Sequence, residues 1–342
     1  IYLPVREKII SLGPDVCGWL ETYVLDENPL MRRRTLNIIS YFKCLKADTE
    51  FHAFCLNHGE DFELEEACWL LARTMNSDIN TEAYRAVRDD YAYDLMQKID
   101  FGSEPEGIMA AINRYLFQTQ RYQGNEDNYY SADNSYLNRV IDQRTGNPIS
   151  LCIIYQLVGR RLGPPVTGIG LPGHFLCRFQ TPRQDYYIDA FNKGRLLTKT
   201  DCMKYLKQAG YEYHEAFLMP ASSRRILLRM CSNLHQIYQR DNQTADAARL
   251  QADEEQLTLA GLEGIHAALA FLHARGAVQG LVGDVLAVEV LAAQAQVADE
   301  LAEHQYLVAV LQQAVDQACE GDQLAAADAG AGRHQFRIAD GA

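Results

Sequence analysis

No apolar run in this chain of 342 residues approaches the roughly 18 that a membrane-spanning helix requires, so no membrane role is expected. No signal-peptide pattern opens the sequence, whose first residue is Ile rather than Met, and we expect a trimmed N-terminal boundary. Paired cysteines are missing as well. Nine cysteines stand singly, no CxxC occurs, and the odd count closes no full disulfide set. Most lie among apolar residues, where a reduced cysteine behaves as a small hydrophobe. That points to a reducing cytoplasm and away from a zinc framework. An excess of positive charge is also lacking: 45 acidic residues outnumber 32 basic ones, for a net charge of −13. Nucleic acid would meet repulsion and is not expected as a partner. The basic spots Arg32–Arg34 and Arg160–Arg161 read as solvated helix faces.

What is present is globular material, long enough for two or three cores. Residues 1–58 read as helices with short breaks: "VREKIISL", "VCGWLETYVL" and "LMRRRTLNIISYFKCL". Paired helices of this kind predict a small HEAT-like hairpin region. "FELEEACWLLARTM", with acidic residues in its first turn, "TEAYRAVRDDYAYDLMQKI" and "EPEGIMAAINRYLFQTQ" predict three more helices. A turn-rich loop, "RYQGNEDNYYSADNSYLN", leads into the next helix, with Asp133 or Asn134 as its N-cap and Gly146 as its C-cap. Asn147-Pro148 then opens a helix whose apolar residues cover nearly every side, the pattern of a buried helix.

Over 166–197 the period changes. "HFLCRF" and "YYIDAF", separated by "QTPRQD", predict two antiparallel strands and a turn. Helices resume and are expected from 222 to 320, where "NLHQIY" and "TADAARLQADEEQLTL" look like one degenerate helix-turn-helix repeat. The last stretch, 321–342, reads as a disordered tail.

The residues with chemistry cluster in the middle. A hairpin centred on Thr181-Pro182 sets His174 opposite Asp189 on one face of the sheet. A carboxylate beside an imidazole fixes its tautomer, as a nucleophilic triad needs; a structural hydrogen bond at a strand end explains the same pair. The third member should be a thiol at the N-terminus of a buried helix, where the dipole favours thiolate. The helix is there, but Asn147, Pro148, Ile149 and Ser150 at its start include no cysteine. Cys152 lies one turn deeper, ~6 Å along the axis, among apolar neighbours. Core packing and nucleophile both remain open for it. Ser150 is a further candidate, and Cys177 falls on the opposite face from His174. Asn147, Ser150 and Tyr187 are candidate binding residues around the cleft, with the helix N-terminus offering free N–H groups. The acidic and amide residues of the preceding loop do not match a calcium loop, and neither metal nor cofactor is expected.

At these residues the sequence resembles a known family. "GNEDNYYSADNSYLNRVIDQRTGNPISL", "GIGLPGHFLCRF" and "YYIDAFNKGRLL" are similar to the bacterial SirB family. That resemblance, strongest from Tyr122 to Leu197, implies a transglutaminase-like domain followed by tetratricopeptide-type helices; a related domain occurs in a eukaryotic F-box protein. It implies that the family's catalytic cysteine falls near Pro148 and is absent here, with His174 and Asp189 at the other two triad positions. The expected architecture is therefore α+β: a helical region over 1–58, a papain/transglutaminase-like domain with a small antiparallel sheet over 59–221, and tetratricopeptide-like helices over 222–320. The expected role is a catalytically degenerate binding or regulatory module for a protein or peptide partner. The alternatives are a cysteine hydrolase or transamidase using Cys152, His174 and Asp189, and a helical scaffold.

Overall fold

The computed structural model describes residues 2–99, 104–163, 165–181 and 183–258. Most of the helical stretch expected to reach 320, and all of 321–342, lie outside the described residues.

The N-terminal region is helical, as its apolar spacing predicts. It comprises α1 (Tyr2–Ile10), α2 (Val16–Leu20) and the long α3 (Pro29–Asn57). Asn28 starts α3 by accepting a hydrogen bond from the Leu30 amide at 2.9 Å, with Pro29 at the first helical position. The two halves of α3 serve different cores. Ile38, Ile39 and Phe42 pack with Leu20 in a small local cluster. Phe51, Phe54 and Cys55 enter the main core.

That main core is built on α4 (Leu64–Met75), α5 (Thr81–Met96), α6 (Pro105–Asn113), α7 (Leu137–Gln143) and α8 (Pro148–Leu162). Helix α6 continues as a π-helical turn over Arg114–Thr119. Two short parallel strands, β1 (Gln123–Gly124) and β2 (Thr145–Gly146), bracket the loop before α8. Helix α8 is the central pillar, because thirteen of its fifteen residues are buried. Its start is over-determined: the Asn147 side chain accepts from the Ser150 amide at 2.9 Å, and Ser150 Oγ accepts from the Asn147 amide at 3.1 Å.

A four-stranded antiparallel sheet follows, ordered β3 (Val166–Leu171), β4 (His174–Gln180), β5 (Asp185–Asp189) and β6 (Arg195–Leu197). Strand residues alternate between two faces. Phe175, Cys177, Phe179 and Ile188 pack on the α8 side. Ile169, Leu171, Leu176 and Tyr187 pack against Cys202 and Leu206 of α9 (Lys199–Gln208). Both faces are thus covered by helices, and the expected small antiparallel sheet in an α+β fold is present.

Helix α10 (Ser223–Arg240) and a last helix, α11, over residues 244–258 complete the described chain. They run antiparallel, since Arg224 donates to Leu257 O at 2.8 Å while His235 meets Glu254 at 2.8 Å. Ile226, Leu227, Met230, Leu234, Leu250 and Leu257 share one core with α4 and α8. The expected boundary at 221/222 therefore does not separate two cores.

Two local expectations are corrected. The C-cap of α7 is Arg144, at φ 58, and not Gly146. Gly146 is required for another reason: a Cβ there would lie 2.6 Å from Ser150 Oγ. Neither Asp133 nor Asn134 caps α7, whose N-cap is Tyr136. Asn134 is buried and ties the loop instead, donating to the carbonyls of Asn128 at 2.8 Å and Tyr129 at 2.9 Å.

Candidate functional site

The hairpin between β4 and β5 decides the site. Its turn runs from Thr181 to Gln184, with the Thr181 amide donating to Gln184 O at 3.1 Å. Cys177 pairs with Ile188, so the hairpin centre lies between residues 182 and 183, one position beyond the expected centre. Continuing that register sets Asp189 beside Leu176, two residues from the expected partner. A shift of two keeps the face, and His174 and Asp189 become diagonal neighbours. The side chains still meet, with Nε2 of His174 3.0 Å from Oδ2 of Asp189.

Each partner is held from its own side. His174 follows the tight turn Pro172-Gly173 between β3 and β4, where Gly173 adopts φ 70. Its ring lies edge-on to Phe191, with centroids 6.5 Å apart, and beside Tyr205 of α9 at 5.9 Å. Tyr205 is fixed in turn by donating to Pro172 O at 3.2 Å. Asp189 is buried and accepts from Asn192 twice: from its amide at 3.1 Å and its side chain at 2.8 Å. The Asp189 carbonyl accepts from the Gly194 amide at 2.8 Å. Burial pushes the Asp189 carboxyl up, but the bonds from His174 and Asn192 outweigh it and hold the group below its ordinary value.

That depression carries a sign. A carboxyl with a lowered folded-state pKa adds stability above its unfolded value, near 4, and loses it as pH falls through the folded value. Asp189→Asn is therefore expected to flatten the loss of unfolding free energy between about pH 4 and pH 2. Urea unfolding at a series of pH values checks this, and an acid limb as steep as wild type would show that Asp189 is not stabilised as a carboxylate.

The dyad opens into a cavity of about 530 Å³ shared by Pro148, Tyr129, Phe191, Asn192, Cys202 and Tyr205. Among the described residues, Nδ1 of His174 has no hydrogen-bond partner. The start of α8 faces this cavity through Pro148.

The sulfurs fall elsewhere. Cys152 is fully buried, and its Sγ donates to Phe175 O at 3.6 Å on the α8 side of the sheet. His174 is on the other side, so the structure joins His174 to Asp189 but leaves Cys152 out. Cys177 lies beside Cys152, as its strand parity predicts, donating to Cys152 O at 3.4 Å. Burial drives the Cys177 thiol well up, and the neighbouring Cys152 adds to it. Cys202 does reach the cavity wall, but burial pushes its thiol up to about 12, which keeps it protonated at neutral pH.

The candidate binding residues are engaged in structure. Besides the capping box, Asn147 donates to Ser135 Oγ at 2.9 Å, and Ser150 Oγ donates to Asn134 O at 2.7 Å. Tyr187 is buried in the cluster beneath α9 and does not line the cavity. Sequence reasoning missed Phe191, Asn192 and Tyr205. The run "FNKG" after the strand carried a turn signal that points to Asn192. Tyr205 had none, since it comes to His174 only through the packing of α9. Among the described residues no group of three His, Cys, Asp or Glu side chains is placed to hold a metal ion.

Comparison with known proteins bears on this geometry. Residues 77–232 match the family described as "Transglutaminase-like superfamily". The chain is similar to a UPF0162 protein of Xylella fastidiosa, 38% identical over 196 residues, which are 56% of this chain and 70% of that protein. It is also similar to a UPF0162 protein of Pseudomonas aeruginosa, 28% identical over 190 residues, 54% of this chain and 67% of that protein. F-box only protein 21 of Mus musculus is 36% identical over 142 residues, covering 39% of this chain and 22% of the mouse protein. No solved structure matches the chain.

Proposed function

We propose, for a chain that belongs to the UPF0162 family and carries a transglutaminase-like domain, that its cleft binds a protein or peptide partner instead of catalysing amide transfer. The observation that carries this reading is the seat next to the dyad. His174 and Asp189 keep the paired geometry of a triad, yet Pro148 stands where the helix start meets the cavity. A proline side chain has neither proton nor lone pair to offer, so there is no nucleophile at that point for the imidazole to deprotonate. The cavity is lined by aromatic and polar side chains together, the composition of a recognition site.

The finer assignments belong to the same proposal. The relation to the SirB family rests on the quoted motifs. The tetratricopeptide-type reading is supported by the antiparallel pair α10 and α11, joined by a turn in which Asn242 adopts φ 58. A cytoplasmic setting fits eight cysteines that are all free among the described residues.

The alternative enzyme reading needs Cys152 to reach His174. If the thiol stays behind the sheet, iodoacetamide labels Cys152 in the folded protein at least ~100-fold more slowly than in urea, because reaction waits on global opening. Peptide-resolved mass spectrometry at neutral pH measures this. Labelling at or above the unfolded rate would overturn the non-catalytic proposal and restore Cys152 as a nucleophile.

A further inference from the structure

A second polar site lies on α10, and its walls share no residue with those of the His174 cleft. Arg225 and Arg229 are one helical turn apart and share a face. Both line a small cavity of about 30 Å³ closed by Gly170 and Phe175 of the sheet and by Met219 and Ala221 of the loop before α10. No acidic residue is among its walls.

Neither guanidinium is neutralised. The Arg225 side chain makes no hydrogen bond or ion pair among the described residues. Arg229 uses Nη2 to donate to Leu171 O at 2.8 Å and lies over the Phe175 ring at 5.7 Å. Its Nη1 is buried without a hydrogen-bond partner. A Cβ at position 170 would stand 3.2 Å from that Nη1, so Gly170 leaves the approach open. Glu60, the acidic group felt by Arg225, is engaged elsewhere: it accepts from Ser222 Oγ at 2.7 Å and lies 3.9 Å from Arg224 Nε.

A buried guanidinium nitrogen without an acceptor, with a second unpaired guanidinium one turn away, is costly unless an anion completes them. The surplus is notable in a chain of net charge −13, which has acidic residues to spare elsewhere. We propose that the Arg225–Arg229 cavity is a carboxylate-binding site. A space of this size holds about two water-sized atoms, the two oxygens of one carboxylate, and the planar guanidinium fork matches them. A larger cavity of about 420 Å³ adjoins it through Arg225 and Ala221, with Arg160, Gln156 and Thr167 on its walls together with the carboxylates of Glu60 and Asp61. It takes the remainder of the molecule that bears the carboxylate. This site stands independently of how the His174 cleft is read.

The test is a titration of the full chain, labelled with nitrogen-15 at arginine, with sodium acetate replacing chloride at constant ionic strength. The Arg229 side-chain signal is expected to shift saturably. Arg225→Gln is expected to weaken acetate binding about tenfold or more, the loss of a charge-assisted bond. Its melting temperature should hold, since the side chain makes no hydrogen bond. Arg225→Lys, which keeps the charge and loses the fork, should fall between the two and serves if the glutamine variant does not fold. Acetyl-Gly-Glu-Gly-amide displacing acetate, with its Gln analogue inert, assigns the carboxylate to a peptide; acetate binding without displacement assigns it to a small free acid. A shift that does not saturate, equal affinity in Arg225→Gln, or tighter binding of inorganic phosphate than of acetate overturns the proposal.

Discussion

Pro148→Cys is expected to create the most reactive thiol in the protein. The new side chain would enter the cavity wall next to His174, at the first position of α8. The helix N-terminus and the imidazole both favour thiolate there. Thiols so placed fall from about 8.5 to roughly 3.5–7.5. At pH 6 the thiolate fraction, and with it the alkylation rate, should rise on the order of 100-fold over an unperturbed cysteine. The native thiols supply the contrast, with burial holding Cys202 up at about 12. Adding His174→Ala should lower the rate by about tenfold or more by removing one of the two stabilising partners. The loss of proline at the first helical position costs about 0.5–1 kcal/mol, which a stable fold tolerates. Labelling with iodoacetamide between pH 5 and pH 9, resolved by peptide, gives the profile. An ordinary thiol profile, indifferent to His174→Ala, would remove the ground for treating this cleft as a triad that lost its nucleophile.

Arg224→Ala is expected to be the most damaging single change to stability, on the order of 4 kcal/mol. Arg224 is 2% exposed, yet its guanidinium gathers carbonyls from three places. It donates to Gly59 O at 3.0 Å, to Leu257 O at 2.8 Å and to Cys55 O at 3.5 Å, and it also bonds His58 O. Cys55 and His58 close the C-terminal end of α3, where unpaired carbonyls and the helix dipole welcome a cation. Leu257 belongs to α11, so one side chain clamps the N-terminal helices, α10 and α11 together. Removing it leaves several buried carbonyls unpaired at about 1–3 kcal/mol each. In urea the midpoint should fall by more than ~1 M with little change in slope. Arg224→Lys should recover only part of this, because one ammonium cannot span the same acceptors. A loss below about 1 kcal/mol would mean that water replaces the clamp.

The site and the fold were legible to different depths. The start of α8 was readable because its signals are local: Asn at the cap, Pro at the first position and an apolar run behind. The sharing of a face by His174 and Asp189 was readable because strand parity survives a register error of two. The register itself was not, because the turn over 181–184 closes through Thr181 and Gln184, a choice that "QTPRQD" does not announce. Asn147 and Ser150 looked like cleft residues from the sequence, since capping groups and ligand groups are the same residue types. Their bonds to Asn134 and Ser135 place them in the scaffold.

The sequence by itself determined the α+β class, the buried helix, the strand pair and the lack of cysteine at the helix start, because each depends on neighbours along the chain. Only the tertiary structure decided which sulfurs lie behind the sheet, that Phe191 and Tyr205 flank the imidazole, and that Arg224, Arg225 and Arg229 have such different surroundings. Those outcomes depend on contacts between residues far apart in sequence, and a run of arginines on one helix looks the same until its neighbours are in place.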